Sequence, residues 1–215
     1  LSVRNRPATT MTENLPKSPA LPEVPATSEE ALSIALGLDL PEAWKAALRS
    51  LYTEPRHVGS DGTLHAIKTV TGITAQQGYE IFRLVSGHSL SRTLEIGFAY
   101  GVSTLWILGG LLDRGQHTAI DPFETKVWKG IGLQKVKEVG AEKNFRFIED
   151  YSVSALAELR NKGEKFDLIF VDGNHKFDDV IVDFSSSDKI LEVGGFLIFD
   201  DLFLPAIRKA LSFLE

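Results

Sequence analysis

The stretch "RTLEIGFAYGVSTLWILGGLL", residues 92–112, decides how this chain folds. It reads as a short strand, "RTLEIG", a turn bracketed by Gly97 and Gly101, and a helix, "STLWILGGLL". Glycines at such a turn let the backbone approach a ligand and present N–H groups near a helix start, although a plain tight turn uses them too. The same alternation continues downstream: "HTAID" and "WKGIGLQKVKEVG", "NFRFIE" and "SALAELRNK", "FDLIFVD" and "FDDVIVDFSSSDKIL", then "GGFLIFDD" and "LPAIRKALSFLE". Strand–helix units of this kind predict a Rossmann-like, doubly wound, mainly parallel α/β sheet over residues 91–215.

Upstream the texture differs. Residues 1–27 hold Pro7, Pro16, Pro19, Pro22 and Pro25 among Ala, Thr, Ser and Glu, a composition that reads as a disordered tail or linker. Residues 28–90 read as a helical lead-in or lid. Ser28 caps "EEALSIALGL", Pro41 opens "PEAWKAALRSLY", and "TAQQGYEIFRLVSG" runs from Thr74, with "HVGSDGT" as a turn-rich loop between them.

Composition narrows the class of function. The chain has 215 residues, 43% hydrophobic and 24% charged, which is ordinary for a globular protein. A net charge of −6 with no basic run argues against nucleic acid and for a small-molecule partner. Cysteine is absent, so there is neither a disulfide framework nor a thiolate metal site. No apolar run approaches a membrane span and no signal pattern opens the chain, so a cytoplasmic protein without a membrane partner is expected.

In an open parallel sheet, ligands bind at the carboxyl ends of the strands, and here those ends are acidic. Asp121 closes the second strand where such folds place an acid on the ribose hydroxyls, or else serves as a turn residue before Pro122. Asp172 ends the fourth strand, and Asp200 and Asp201 end the fifth. If these strands are neighbours, three carboxylates converge, and a divalent cation among them relieves the repulsion; all-oxygen ligation suits Mg²⁺. His175 lies three residues beyond Asp172, within reach of a substrate hydroxyl, and a neutral imidazole can act there as general base. The plainer reading makes Asp172 and Asp200 helix N-caps and His175 a surface residue. Asp178 and Asp179 read as first-turn helix residues. His57, His65, His88 and His117 show no metal-ligand spacing. Trp44 and Trp106 read as helix core, and so does Trp128, unless it flanks a nucleoside.

The combination E-x-G-x-x-x-G-x-S, then an acid after the second strand, resembles the class I S-adenosylmethionine-dependent methyltransferases. "LEIGFAYGVSTLWI", "AIDPFETKVWKGIGL" and "VDGNHKFDDV" carry the likeness, which is closest to metal-dependent small-molecule O-methyltransferases of the catechol/caffeoyl-CoA and macrolide/sugar types. A nicotinamide-binding protein would more often show G-x-G-x-x-G. The resemblance implies S-adenosylmethionine as methyl donor, with Glu95, Gly97, Gly101, Ser103, Asp121, Tyr151 and Ser152 at its site. Ser103 would take its carboxylate, Asp121 its ribose, and Tyr151 and Ser152 would border its adenine. It implies a divalent metal on Asp172, Asp200 and Asp201, and a hydroxylated small molecule as acceptor. His175 stands where the sugar-directed group has a histidine, which favours a sugar-like hydroxyl. The lead-in helices would form a lid or a homodimer contact. Such folds usually carry an antiparallel strand pair after the fifth strand's helix, and this sequence stops within that helix at Glu215. Either a C-terminal part is absent from this chain, or a partner covers the exposed edge of the fifth strand, or the likeness to the family is incomplete. Two other classes stay open: the same fold as an oxygenase-like iron enzyme or a cofactor-binding protein, and a nicotinamide oxidoreductase.

Overall fold

The computed structural model describes residues 2–5, 23–67, 72–88 and 90–214. In chain order the elements are β1 (Ser2–Asn5), α1 (Ser28–Gly37), α2 (Glu42–Thr53), β2 (Arg56–Val58), β3 (Leu64–Ala66) and α3 (Ala75–Gly87). The strand–helix units follow as β4 (Arg92–Ile96), α4 (Val102–Leu111), β5 (Gln116–Ile120), α5 (Ile131–Glu138), β6 (Phe145–Ile148) and α6 (Ser152–Asn161). β7 (Phe166–Val171), α7 (Phe177–Ile190), β8 (Leu191–Phe199) and α8 (Pro205–Leu214) complete them.

The main sheet has the order β1-β8-β7-β4-β5-β6. Strands β4 to β8 are parallel, as the alternation predicts. From β4 the chain builds outward through β5 and β6, then returns to β4's other side for β7 and β8. That reversal opens a crevice at the carboxyl ends of β4 and β7. Side chains alternate across the sheet. In β7, Leu168 and Phe170 enter one apolar cluster while Ile169 and Val171 enter the other.

The first cluster explains why the lead-in is part of the domain. Ala31, Trp44, Leu48, Leu51, Tyr79 and Val85 from α1, α2 and α3 are buried with Leu105 and Trp106 of α4. Trp106 is fully buried, with the Trp44 ring edge-on at 5.9 Å and the Tyr79 ring at 6.4 Å. Its indole N–H donates to Tyr52 Oη at 3.0 Å, that hydroxyl donates to the Ile73 carbonyl at 3.1 Å, and Trp44 Nε1 donates to the Leu105 carbonyl at 2.6 Å. Two helix glycines admit these rings: a Cβ on Gly109 would meet Trp44 at 2.6 Å, and one on Gly78 would collide with the Trp106 indole.

Four details depart from the sequence reading. Ser2–Asn5, assigned to the tail, pair antiparallel with Phe196–Phe199 and cover the edge of β8. The segment around "HVGSDGT" is flanked by a β2–β3 hairpin with His57 opposite His65; three-residue strands are too short for alternation to reveal. Thr27, not Ser28, caps α1, accepting from the Glu30 amide at 3.1 Å. Helix α5 starts at Ile131 instead of Trp128, because Lys129 and Gly130 both turn to positive φ, 63° and 65°. Of the rest of the proposed tail, residues 1 and 6–22 lie outside the described ones, and 23–27 lead into α1.

Gly78→Ala is expected to cost about 1–3 kcal/mol, the usual penalty for overpacking a filled core, because the indole of Trp106 has nowhere to retreat. Urea denaturation of the variant against the parent checks this.

Candidate active site

The turn from β4 into α4 is built around a missing side chain. Gly97 has φ 94°, and a Cβ there would collide with the carbonyl oxygen of Asp172 at the end of β7. The two strand ends therefore close on each other. Gly101, at φ 76°, forms the N-terminal boundary of α4, and Ala99 between them also adopts a positive φ of 44°.

Asp121 holds this turn in place. Its Oδ2 accepts from the Phe98 and Ala99 amides at 3.1 and 3.0 Å, and its Oδ1 accepts from the Phe123 amide at 2.8 Å. A carboxylate offers about four acceptor positions, so about one remains, and Asp121 lines the cavity. Glu95 serves a different purpose. It is fully buried, does not line the cavity, and accepts from the hydroxyls of Ser103 and Thr104 and contacts His117 Nε2 at 3.1 Å. His117 Nδ1 in turn lies 2.9 Å from Thr93 Oγ1. This network pins the first turn of α4 to β4 and β5, and it occupies the Ser103 hydroxyl that the sequence reading had assigned to a ligand.

A cavity of about 720 Å³ opens at the crevice. Gly97, Ser103, Asp121, Tyr151 and Ser152 line it, and so do Asp172, His175, Asp200 and Asp201; Glu95 and Gly101 stand behind the wall. Trp128 lines it as well, its ring edge-on to Tyr100 at 5.2 Å, while also packing on the first core cluster.

At the β7–β8 end the acids converge. Ligand atoms of Asp172, His175 and Asp201 all lie within 4.8 Å of one another. His175 Nε2 is 2.8 Å from Asp201 Oδ2 and 3.7 Å from Asp172 Oδ1. Burial pushes the Asp172 carboxyl up to about 7; His175 opposes this, while Asp200 and Asp201 add to it. The Asp172 carboxylate first, then the Asp201 charge, raise His175 above the ordinary imidazole value against its partial burial, although the shorter contact is to Asp201. Burial also raises Asp200. Asp201 takes a positive φ of 56°, unusual for a residue with a side chain.

Asp200 differs from the metal set expected from sequence. Its Oδ1 accepts from Gln77 Nε2 at 2.6 Å, and it stands outside the three-residue group. Gln77 is fixed for this task because its Oε1 accepts from the Thr74 amide and hydroxyl, both at 2.8 Å, in the capping box of α3. Sequence shows the capping box, but not that its second member reaches across to the sheet. The trio of two carboxylates and one imidazole has the donor chemistry to hold a divalent cation.

The family model described as "Methyltransferase domain" matches residues 94–202, which is just over half of the chain and spans the glycine turn, Asp121 and the acidic group. The chain belongs to this methyltransferase-domain family. Within curated proteins it is 27% identical over 136 residues to a caffeoyl-CoA O-methyltransferase of Populus kitakamiensis, covering 60% of this chain. The chain spans about half the length of that relative, 54%. Among solved structures, a methyltransferase of Podospora anserina bound to SAH superposes with a TM-score of 0.66 at 19% identity, over 91% of this chain and 89% of that one. The O-methyltransferase TomG of Streptomyces achromogenes, involved in tomaymycin synthesis and solved with SAM, gives 0.63 at 20% identity, over 87% and 86%. These likenesses establish the methyltransferase Rossmann-like fold. Among the described residues no helix is long and apolar enough to cross a membrane.

Two outcomes test the site's scaffold. Glu95→Ala leaves His117 buried without its carboxylate and two hydroxyls without an acceptor, and should cost about 3–5 kcal/mol in chemical denaturation. Glu124, behind Asp121, accepts from the Leu133 amide at 3.3 Å, and burial pushes its carboxyl up to about 8. The folded chain thus binds this proton more tightly than the unfolded chain. Stability should fall as pH rises from the ordinary carboxylate range through about 8, then level off. Glu124→Gln should flatten that slope in denaturation curves recorded across the same range.

Proposed function

We propose that this chain is an S-adenosylmethionine-dependent O-methyltransferase acting on a hydroxyl of a small molecule, assisted by a divalent cation such as Mg²⁺. The observation that carries the reading is that one cavity contains both the Gly97 turn with Asp121 and the Asp172–His175–Asp201 group. The caffeoyl-CoA O-methyltransferase relative and the SAM- and SAH-bound neighbours support it.

In this reading Asp121 accepts from the ribose hydroxyls with its remaining acceptor position. The backbone around Gly97 approaches the methionine part of the donor, and Tyr151 and Ser152 border the adenine. Asp172 and Asp201, with His175 beside them, would hold the cation, and Asp200 would stand by through Gln77. A bound divalent cation would supply positive charge beside the acceptor oxygen and lower that hydroxyl's pKa. His175 takes the hydroxyl proton: with Nε2–H donated to Asp201, Nδ1 is the accepting nitrogen. The acceptor oxygen attacks the sulfonium methyl carbon, the carbon–sulfur bond breaks with its electron pair left on sulfur, and S-adenosylhomocysteine and a methyl ether result. The walls contribute by fixing both reactants in line and excluding water.

One observation favours a second reading. An imidazole nitrogen in the group also suits iron, as in oxygenase-like use of the same fold. Oxygen consumption with Fe²⁺ would distinguish it.

Calorimetric titration of S-adenosylhomocysteine, with and without Mg²⁺, tests the main reading. Binding is expected for the parent and lost in Asp121→Ala. His175→Ala should retain that binding and lose about 10²–10⁴-fold in turnover of an accepted hydroxyl. A folded parent that binds no S-adenosylhomocysteine, with or without the cation, would sink the proposal.

A further inference from the structure

Asp200 is the acid that the cation group leaves out, although its backbone sits beside that group. Its amide donates to the Val171 carbonyl at 3.2 Å, next to Asp172, and its chain neighbour Asp201 is a member. It lines the same cavity and is 6% exposed. The direction of its side chain is what separates it from the other donors. Two hydrogen bonds set that direction: one from the backbone N–H of Asp201, and one from Gln77 Nε2 to Oδ1 at 2.6 Å.

Gln77 is fixed in the donating orientation. Its Oε1 accepts from the Thr74 amide and hydroxyl, both at 2.8 Å, so its NH₂ group is the end that faces Asp200. Thr74 Oγ1 accepts in turn from the Gln77 amide at 3.2 Å, which closes the capping box of α3. Turning the side-chain amide over would lose both bonds to Thr74 and set oxygen against oxygen at Asp200. The helix that presents it is itself anchored, with Tyr79 and Val85 buried in the first apolar cluster. A cation that recruited Asp200 would have to break a hydrogen bond to a charged group and leave a half-buried N–H without its acceptor.

We propose that Gln77 is a positioning residue that withholds Asp200 from the cation, leaving the ion to the Asp172–His175–Asp201 group. This rests on the cation reading of that group and deepens it. Mg²⁺ demands octahedral surroundings and usually keeps several waters, so one carboxylate fewer leaves more of its positions to water and substrate oxygen. The withheld carboxylate still adds negative charge to the wall without taking a position.

The experiment measures Mn²⁺ binding to the full chain by calorimetry and by loss of the free-ion paramagnetic resonance signal, with no methyl donor or acceptor present. Gln77→Leu removes the donor and should tighten Mn²⁺ binding about tenfold, because ligand charge count tunes cation affinity. Asp200→Asn added to that variant should abolish the gain. In the parent, Asp200→Asn should weaken binding far less than Asp172→Asn does. Gln77→Glu preserves the capping box, which Glu serves like Gln, but turns the donor into a carboxylate, and it too should bind Mn²⁺ more tightly. A folding defect cannot tighten binding, and melting temperatures without the cation report which variants fold. A partner that merely supports a metal ligand has the opposite sign, so weakening of about 10–100-fold in folded Gln77→Leu or Gln77→Glu would overturn the inference. Unchanged affinity in them would do the same, as would an Asp200→Asn loss in the parent equal to that of Asp172→Asn. A parent that binds no Mn²⁺ would instead overturn the cation reading itself.

Discussion

A side chain on Gly97 would run into the main-chain oxygen of Asp172, and the site depends on that missing atom. Only because it is missing can the end of β4 press against the end of β7. The glycine turn and the acidic group then become two walls of one cavity. Asp121 fixes the turn from the β5 side through three amides, and the buried Glu95–His117 pair fixes it from beneath. The turn is thus held rigid without using a residue of the acidic group, and each wall can be altered while the other persists.

Much of this was legible in the chain. Apolar runs alternating with amphipathic stretches mark all five parallel strands; β5, β7 and β8 run straight into Asp121, Asp172 and Asp200, whereas β4 runs into Gly97 and the half-buried β6 into Glu149. Asp172, Asp200 and Asp201 could be placed at one edge, with His175 close by, because strand ends in such a sheet share it; that Asp200 is taken up by Gln77 could not. Other features depended on contacts between distant elements. Gln77 reads only as a capping-box residue, and its hold on Asp200 spans the distance from α3 to β8. Glu95 looks like part of a ligand motif, yet a buried carboxylate needs donors, and here Ser103 and Thr104 on α4 and His117 on the neighbouring strand surround it. Asp183 is buried and lines the cavity, yet the pattern of α7 gives no sign that one of its acids faces inward.

The lead-in illustrates a related point. Helices read as a lid from sequence position share an apolar cluster with α4, through Trp44 and Trp106 packed against glycines. Removing them would expose the face of the helix that begins at the glycine turn. They are a wall of the domain, and α3 also touches the site through Gln77.

β1 has a practical implication. It runs antiparallel to β8 with Ser2 opposite Phe199, one residue before Asp200, so the Ser2 end of this strand lies at the sheet edge that carries the acidic group. A group attached at Ser2 would therefore sit beside that edge. A metal-chelating label there would bring its own donors close to Asp172 and Asp201, and its cation affinity could be mistaken for affinity of the protein itself.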